Sequence, residues 1–238
     1  MIDVRHIFVS YPDHTRALRD LTMSVLKGRC TGIVGANGAG KSTLLLTLCG
    51  VMLPTAGVVE IAGITLRKNT LQDIRPRIGM VFQNPDDQLF MPSIYEDVAF
   101  GPRSFGKDEA EVERLVNAAL EQCHIAHLKD RSPLRLSGGE KRMAAIATVL
   151  AMQPDVLLLD EPSAFLDPRA RRNLITHLKT LPQTKLIATH DLPLAAELCE
   201  EIVVLQQGTV LTAGRPEELL YDAAQMDACG LEAIPYRI

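Results

Sequence analysis

One nine-residue stretch, Gly35-Ala36-Asn37-Gly38-Ala39-Gly40-Lys41-Ser42-Thr43, constrains this chain more than any other. It fits G-x-x-x-x-G-K-[ST], the phosphate-binding loop pattern. The residues around it give the context that the pattern needs. Cys30-Thr31-Gly32-Ile33-Val34 is short, partly β-branched and strand-like, and Leu44-Leu45-Leu46-Thr47-Leu48 reads as a buried helix. Glycines let successive backbone N–H groups turn inward around an anion, and the following helix points the positive end of its dipole at the same place. In such a loop Lys41 reaches the β- and γ-phosphates of a nucleotide, and the Ser42 hydroxyl ligates Mg²⁺. A glycine-rich turn before a core helix would satisfy the same four fixed positions. The strand–loop–helix setting favours the phosphate site.

A second chemical cluster lies far along the chain. Val156-Leu157-Leu158-Leu159 is continuously apolar, as parallel strands buried on both faces are. It delivers Asp160-Glu161 at its C-terminal end, where open α/β sheets bind ligands. Two adjacent carboxylates there are accounted for by one Mg²⁺ ligand, Asp160, and one base for water, Glu161. Lys185 to Thr189 forms the next buried strand and sets His190 at its end, on the side of the sheet that carries the phosphate loop. A further strand, Ile78 to Phe82, ends at Gln83, followed by the polar, acidic run Asn84-Pro85-Asp86-Asp87-Gln88-Leu89-Phe90.

Between these strands the pattern turns helical. Asp108-Glu109-Ala110-Glu111 resembles a capping box, and Val112, Leu115, Val116, Ala119, Leu120 and Cys123 recur at helical spacing. Residues 85–136 therefore read as a small helical insert in a core formed by 1–84 and 137–238. Leu136-Ser137-Gly138-Gly139-Glu140 opens the next helix, with Ser137 and Glu140 at capping-box spacing. Two consecutive glycines weaken a first helical turn. They make sense if phosphates must approach Gly138 and Gly139 closely. Near the N-terminus, strands at 4–9 and 21–26 flank a turn in which Tyr11 stands before Pro12. An aromatic there serves turn packing or stacks on a base.

Composition narrows the class of function. A net charge of −4 gives a nucleic-acid role no electrostatic support. The five cysteines lack C-x-x-C spacing and read as reduced thiols rather than a disulfide or zinc framework. The N-terminal residues lack the form of a signal peptide. The longest nearly apolar run, Met143 to Met152, is half of what a bilayer span requires. If the protein serves a membrane process, another polypeptide is expected to do the crossing.

Taken in order, these motifs resemble the ATP-binding cassette (ABC) ATPases over essentially the whole chain. Tyr11 matches the family's adenine-stacking aromatic, residues 35–43 its Walker A motif and Gln83 its Q-loop. Leu136 to Glu140 matches its signature, 156–161 its Walker B, 163–167 its D-loop and His190 its switch histidine. The resemblance implies an α/β fold: a P-loop, RecA-like core with an antiparallel β portion, plus an inserted α-helical subdomain. It also implies a head-to-tail dimer holding two ATP molecules between Walker A of one copy and the signature of the other. By that carry-over Tyr11, Gly35, Asn37, Gly38, Ala39, Gly40, Lys41, Ser42, Thr43 and Gln83 contact ATP within one copy. Ser137, Gly138, Gly139 and Glu140 grip the γ-phosphate from the other. Glu161 polarises the attacking water, with His190 and Lys41 on the γ-phosphate. Ser42, Asp160 and Gln83 hold Mg²⁺ or its waters, and Asp167 bridges the two copies.

A finer resemblance is to the ATPases of energy-coupling-factor transporters, in particular the cobalt and nickel uptake branch. It is carried by Gln83 to Phe90, by Glu96-Asp97-Val98-Ala99-Phe100-Gly101-Pro102 and by Ala188-Thr189-His190-Asp191-Leu192. That implies a peripheral ATPase on the cytoplasmic face of the membrane. It would work as a homodimer, or as a heterodimer with a second ABC ATPase, bound to integral membrane transport subunits. No contact with cargo or nucleic acid is implied, so cobalt, nickel or a vitamin is inferred by similarity alone. An importer of another ABC type is the nearest alternative. Position 140 departs from the family, which usually carries Gln. DNA-repair members of the family need a long coiled-coil insert and translation members carry two cassettes, and neither feature is present. A regulator that does not hydrolyse ATP is disfavoured by Glu161 and His190.

Overall fold

The computed structural model describes residues 1–235. Ten strands and nine α-helices follow one another along those residues. The antiparallel portion comprises β1 (Ile2–Ser10), β2 (Arg16–Val25), β4 (Ala56–Ile61) and β5 (Ile64–Thr65), in the order β2-β1-β4-β5. The larger sheet runs β10-β9-β3-β8-β7-β6. Its members are β3 (Cys30–Val34), β6 (Ile78–Val81), β7 (Val156–Asp160), β8 (Thr184–Ala188), β9 (Glu201–Gln206) and β10 (Thr209–Gly214). Neighbours from β9 through β6 pair in parallel, and β10 closes one edge antiparallel to β9.

The pattern of the strands follows their surroundings. β3, β7 and β8 are buried at every residue, which is why they read as unbroken apolar runs. Their side chains divide by the two-residue period of a strand. Leu157 and Leu159 join one hydrophobic cluster with the helices, whereas Val156 and Leu158 join another with the antiparallel sheet. Helix α1 (Lys41–Leu48) is sandwiched in the second cluster through Leu44, Leu45 and Leu48. Burying each such leucine contributes about 1.5–3 kcal/mol relative to exposure. The short α2 (Leu71–Ile74) lies between β5 and β6 and buries Ile74.

The helical lobe contains α3 (Ile94–Ser104), α4 (Glu109–Gln122) and α5 (Gly138–Leu150). Helix α5 packs on both α3 and α4 and also on β6. The boundary expected after residue 136 therefore does not coincide with a break in the packing, because one helix closes the lobe and seats it on the sheet. Asp108 caps α4 by accepting a hydrogen bond from the Glu111 amide at 2.9 Å. The reciprocal half of the expected capping box is not made. The Glu111 carboxylate instead pairs with Arg114 through bonds of 2.7 and 2.8 Å. The chain finishes with α6 (Pro168–Thr180), α7 (Leu192–Leu198), α8 (Pro216–Leu219) and α9 (Ala223–Ala228). All five cysteines are free thiols.

Candidate active site

The phosphate loop sits at the C-terminal end of β3, with β8 and β9 as the strands on either side. Close approach explains its first glycine: a Cβ on Gly35 would lie 2.4 Å from the Leu205 carbonyl oxygen. At Gly40 the backbone is left-handed, with φ of 107°, and a Cβ would meet the Ala17 carbonyl at 2.9 Å. Lys41 is buried and folds back into its own loop. Its Nζ donates to the carbonyls of Gly35 at 2.7 Å and Ala36 at 3.3 Å, and it stands 4.0 Å from Glu161 Oε1. Burial pushes its pKa below the ordinary lysine value, opposed by the charges of Glu161 and Asp160.

Strand β7 places Asp160 and Glu161 beside that lysine. Asp160 is 7% exposed, accepts a hydrogen bond from the Ser42 side chain and leaves Oδ1 buried without a partner. Burial, reinforced by the Glu161 charge, raises its pKa. Glu161 is held more firmly. Its Oε2 accepts from the Thr189 hydroxyl at 3.0 Å and the His190 amide at 3.2 Å, while its Oε1 lies 2.9 Å from His190 Nδ1. The Thr189 hydroxyl is itself fixed, because it accepts the Asp191 amide at 3.0 Å. Asp191 receives a bidentate pair from Arg171, both bonds 2.7 Å, and a 2.9 Å bond from the Ser163 hydroxyl. A continuous network thus runs from α6 and residue 163 to the carboxylate of Glu161.

Tyr11, Asn37, Gly38, Ala39, Gly40, Lys41, Ser42, Thr43, Gln83, Glu161 and His190 line one cavity of about 540 Å³. The Tyr11 hydroxyl is tied to Thr43 Oγ1 at 2.8 Å, which sets its ring at the rim. Gln83 is anchored by its backbone: Arg142, 1% exposed, donates to the carbonyls of Phe82 and Gln83, both at 2.6 Å. Burial pushes that guanidinium down to about 10. Gln88 adds bonds to Ala145 and Thr148 of α5, so the segment carrying Gln83 is laced to α5.

The expected signature residues are elsewhere. Ser137, Gly139 and Glu140 line a separate cavity of about 580 Å³ together with Asp167. Here the capping box is complete: Glu140 Oε2 accepts from the Ser137 amide at 2.8 Å and the Ser137 hydroxyl at 2.7 Å, and the Glu140 amide donates to Ser137 Oγ at 3.4 Å. These bonds from Ser137 hold the Glu140 carboxyl below the usual carboxylate range. Asp167 caps α6 by accepting from the Ala170 amide at 2.8 Å. The glycine pair has a packing reason that the sequence did not reveal. A Cβ on Gly139 would lie 2.9 Å from Ala170 Cβ, whereas Gly138 meets nothing closer than the Phe165 carbonyl at 3.7 Å. Only Gly138 is left without a structural demand.

Sequence reasoning gave no role to Thr189, Asp191, Arg171 or Arg142. A local signal existed for Asp191, which precedes Pro193 and caps α7 through the Leu194 amide. Arg171 and Arg142 carry no local signal, since their partners lie 20 and about 60 residues away.

The ABC transporter family profile matches residues 18–164. The chain belongs to the ABC transporter ATP-binding family. A Geobacter sulfurreducens protein whose name places it among ABC transporter ATP-binding proteins is 50% identical over 232 residues, covering 98% of this chain and 93% of the relative. The energy-coupling factor transporter ATP-binding protein EcfA of Methanothermobacter thermautotrophicus is 44% identical, over 94% of this chain and 73% of its own. Among solved structures, CbiO1 of Clostridium perfringens, part of the ABC transporter complex CbiONQ, superposes with a TM-score of 0.85 at 36% identity, covering 95% and 93% of the two chains. A dimeric bacterial ABC transporter cassette matches at 0.80 and 28% identity, over 91% and 99%. The chain is an ABC ATPase domain with the mixed α/β fold and helical subdomain expected of it. Among the described residues no helix is long and apolar enough to cross a membrane.

Proposed function

We propose that this chain is the ATP-hydrolysing subunit of an energy-coupling-factor importer for a transition-metal ion, cobalt or nickel. It acts as a head-to-tail homodimer on the cytoplasmic face of separate membrane subunits. The observation that carries the hydrolytic part is the carboxylate pair at the end of β7, facing Lys41 across the phosphate loop. The transport part is supported by the 44% identical EcfA and by CbiO1. The two separate cavities fit a composite site, because neither set of residues alone surrounds a triphosphate.

In the reaction Lys41 leaves the Gly35 and Ala36 carbonyls for the β/γ-phosphates, and Tyr11 stacks on the adenine. Glu161, aimed by Thr189 and the His190 amide, takes the proton of the attacking water as the bond to the γ-phosphorus forms. His190 turns its exposed ring to the γ-phosphate. The residues present fit Mg²⁺: the orphaned Asp160 Oδ1, the Ser42 hydroxyl and the Gln83 amide oxygen are hard donors of the kind it takes. Bound there, Mg²⁺ would neutralise phosphate charge. Ser137 to Glu140 of the second copy close over the γ-phosphate, and Asp167 bridges the copies.

The membrane subunits dock, in this reading, on the segment after Gln83. Phe90 is 63% exposed and packs edge-on against Phe100, beside Asp86 and Asp87. Asp86 is partly engaged by Lys141 at 2.6 Å, so Asp87 is the freer acid toward a basic helix. The test is co-purification from membranes with uptake assayed in vesicles. Asp86→Asn/Asp87→Asn should leave the isolated ATPase intact and uncouple transport. Unchanged cobalt or nickel uptake by the double variant would refute the docking site, and uptake of a vitamin instead would refute the cargo.

A further inference from the structure

We propose that Phe165 is an apolar anchor for a second copy of this chain, displayed at the cost of backbone strain. The inference rests on the head-to-tail dimer proposed above and assigns that dimer a residue of its own.

Two independent observations meet at this position. The backbone of Phe165 is left-handed, with φ of 63°. An L-residue avoids this region because its Cβ crowds the following carbonyl, and for a bulky side chain it is a genuine outlier. Among the described residues nine non-glycines have positive φ. The other eight are His6, His14, Asp20, Ala62, His124, Gln153, Glu161 and Gln207, all polar or small, as turns accept. Phe165 alone brings a large apolar side chain to the strain. The ring receives nothing in return within its own chain, for the residue is 82% exposed.

The surrounding loop shows that the display is imposed. Ala164 donates its amide to the Glu161 carbonyl at 3.0 Å, and Leu166 donates to the Ser163 carbonyl at 3.3 Å. Ser163 is fastened to Asp191, Leu166 packs on the helical-side core and Asp167 caps α6. Both ends of the turn are pinned, and the ring between them points out. Strain held by its surroundings clusters where a surface is used.

The occupant follows from position. Phe165 lines a cleft of about 250 Å³ with Leu136, Gly138 and Lys141, beside the N-terminus of α5. That terminus bears Ser137 and Gly138, which the composite-site reading sets against the nucleotide of another copy. Phe165 is therefore continuous with the surface that a second copy covers, and a related cassette is solved as a dimer. In a two-fold dimer each copy contributes one ring, so its loss is felt twice.

The experiment compares Phe165→Ala, which keeps the left-handed backbone and removes the ring, with Phe165→Gly, which removes both. In a Glu161→Gln background with ATP and Mg²⁺, sedimentation should show both variants dimerising about thirtyfold more weakly, as expected for an aromatic hot spot. Nucleotide-free and monomeric, Phe165→Gly should melt about 2–4 °C above the parent, and Phe165→Ala should not. An unchanged dimer constant in both variants overturns the anchor. So does a Phe165→Gly monomer that melts below the parent, because the ring would then be serving its own chain. Loss of a membrane subunit with the ATP dimer intact assigns the ring to that subunit and overturns it as well. If the Glu161→Gln parent itself stays monomeric with ATP, the dimer reading fails first, and that failure is visible before any Phe165 variant is compared.

Discussion

The two halves of the phosphate site neutralise themselves with opposite signs before any nucleotide arrives. In the P-loop half the charge is a buried cation, Lys41, turned onto two carbonyls of its own loop. In the signature half it is an anion, Glu140, seated on the N-terminus of α5 through two bonds from Ser137. Phosphate relieves the first arrangement, since Lys41 exchanges neutral carbonyls for anionic oxygens. It burdens the second, since an anion arrives where one already sits. The P-loop half is thus built to bind, and the signature half to bind conditionally, when a second copy presents a nucleotide strongly enough.

The largest test of this contrast removes the base from the first half. Glu161→Gln should keep ATP binding and lose roughly 10²–10⁴-fold in hydrolysis, the usual contribution of a positioned base. The variant should elute as an ATP-bound dimer in size-exclusion chromatography. Turnover near that of wild type would take the role away from Glu161.

Acid should act on the two halves with opposite sign. His177, buried in the cavity behind the signature, has its pKa pushed down to about 4 by burial, with His124 adding to it. Between the ordinary 6.5 and that value the unfolded chain binds more protons than the folded one. Stability therefore falls as pH falls through this window, by at most about 3 kcal/mol. Asp160 runs the other way. Its pKa is raised by burial, so the folded chain takes up a proton first, and its penalty is relieved as pH falls through the raised value. Melting temperatures from pH 7 to 4 should decline less steeply in His177→Gln. At pH 7, Asp160→Asn should melt higher than wild type while losing Mg²⁺-dependent ATP binding. A steeper decline in the first, or a lower melting point in the second, would reverse the contrast.

A smaller effect is expected from the network that aims Glu161. Arg171→Ala releases Asp191, and with it the Thr189 hydroxyl and the Glu161 carboxylate, without touching nucleotide. We expect kcat to fall about tenfold with little change in KM for ATP, a loss of orientation rather than binding. Equal losses in both constants would make Arg171 a stabilising residue only.

What could be read in advance follows from how locally each feature is written. The P-loop, the β7 carboxylates and His190 are short motifs at the ends of strands whose apolar runs identify them. The Ser137–Glu140 box is equally local, and the structure closes it as its spacing predicts. Arg171 with Asp191, Arg142 with the Gln83 backbone, and Gly139 with Ala170 are tertiary contacts with no periodic trace. The extent of the helical lobe was hidden for the same reason. Helix α5 follows a glycine-rich turn that marks a boundary in sequence, yet its apolar face belongs to both sides of it. Even the Asp108 box shows the limit of spacing, because a nearby Arg114 claimed the carboxylate that the pattern assigned to the cap.

Glu140 is where the comparison can be turned around. Gln at this position can still accept the Ser137 amide and keep the cap, so the monomer should hardly change. What it removes is the charge, which contributes about 0.3–1 kcal/mol with the helix dipole whether or not ATP is present. Against a triphosphate of the second copy the same charge is unfavourable. Two unit charges about 7 Å apart repel by roughly 2 kcal/mol at an effective dielectric near 20, before Mg²⁺ and salt reduce it. Binding adds a second cost, because the Ser137 hydroxyl that now donates to Glu140 must turn to the phosphate. Only the sandwiched state carries these terms, so Glu140→Gln should tighten the ATP-dependent dimer by at most about tenfold. The measurement is the dimer dissociation constant in a Glu161→Gln background at low and moderate salt. The gain should shrink as salt rises, since it is a removed repulsion. A weaker dimer, or a gain indifferent to salt, would mean that Glu140 makes a favourable contact across the interface, and the signature half would no longer differ in sign from the P-loop half.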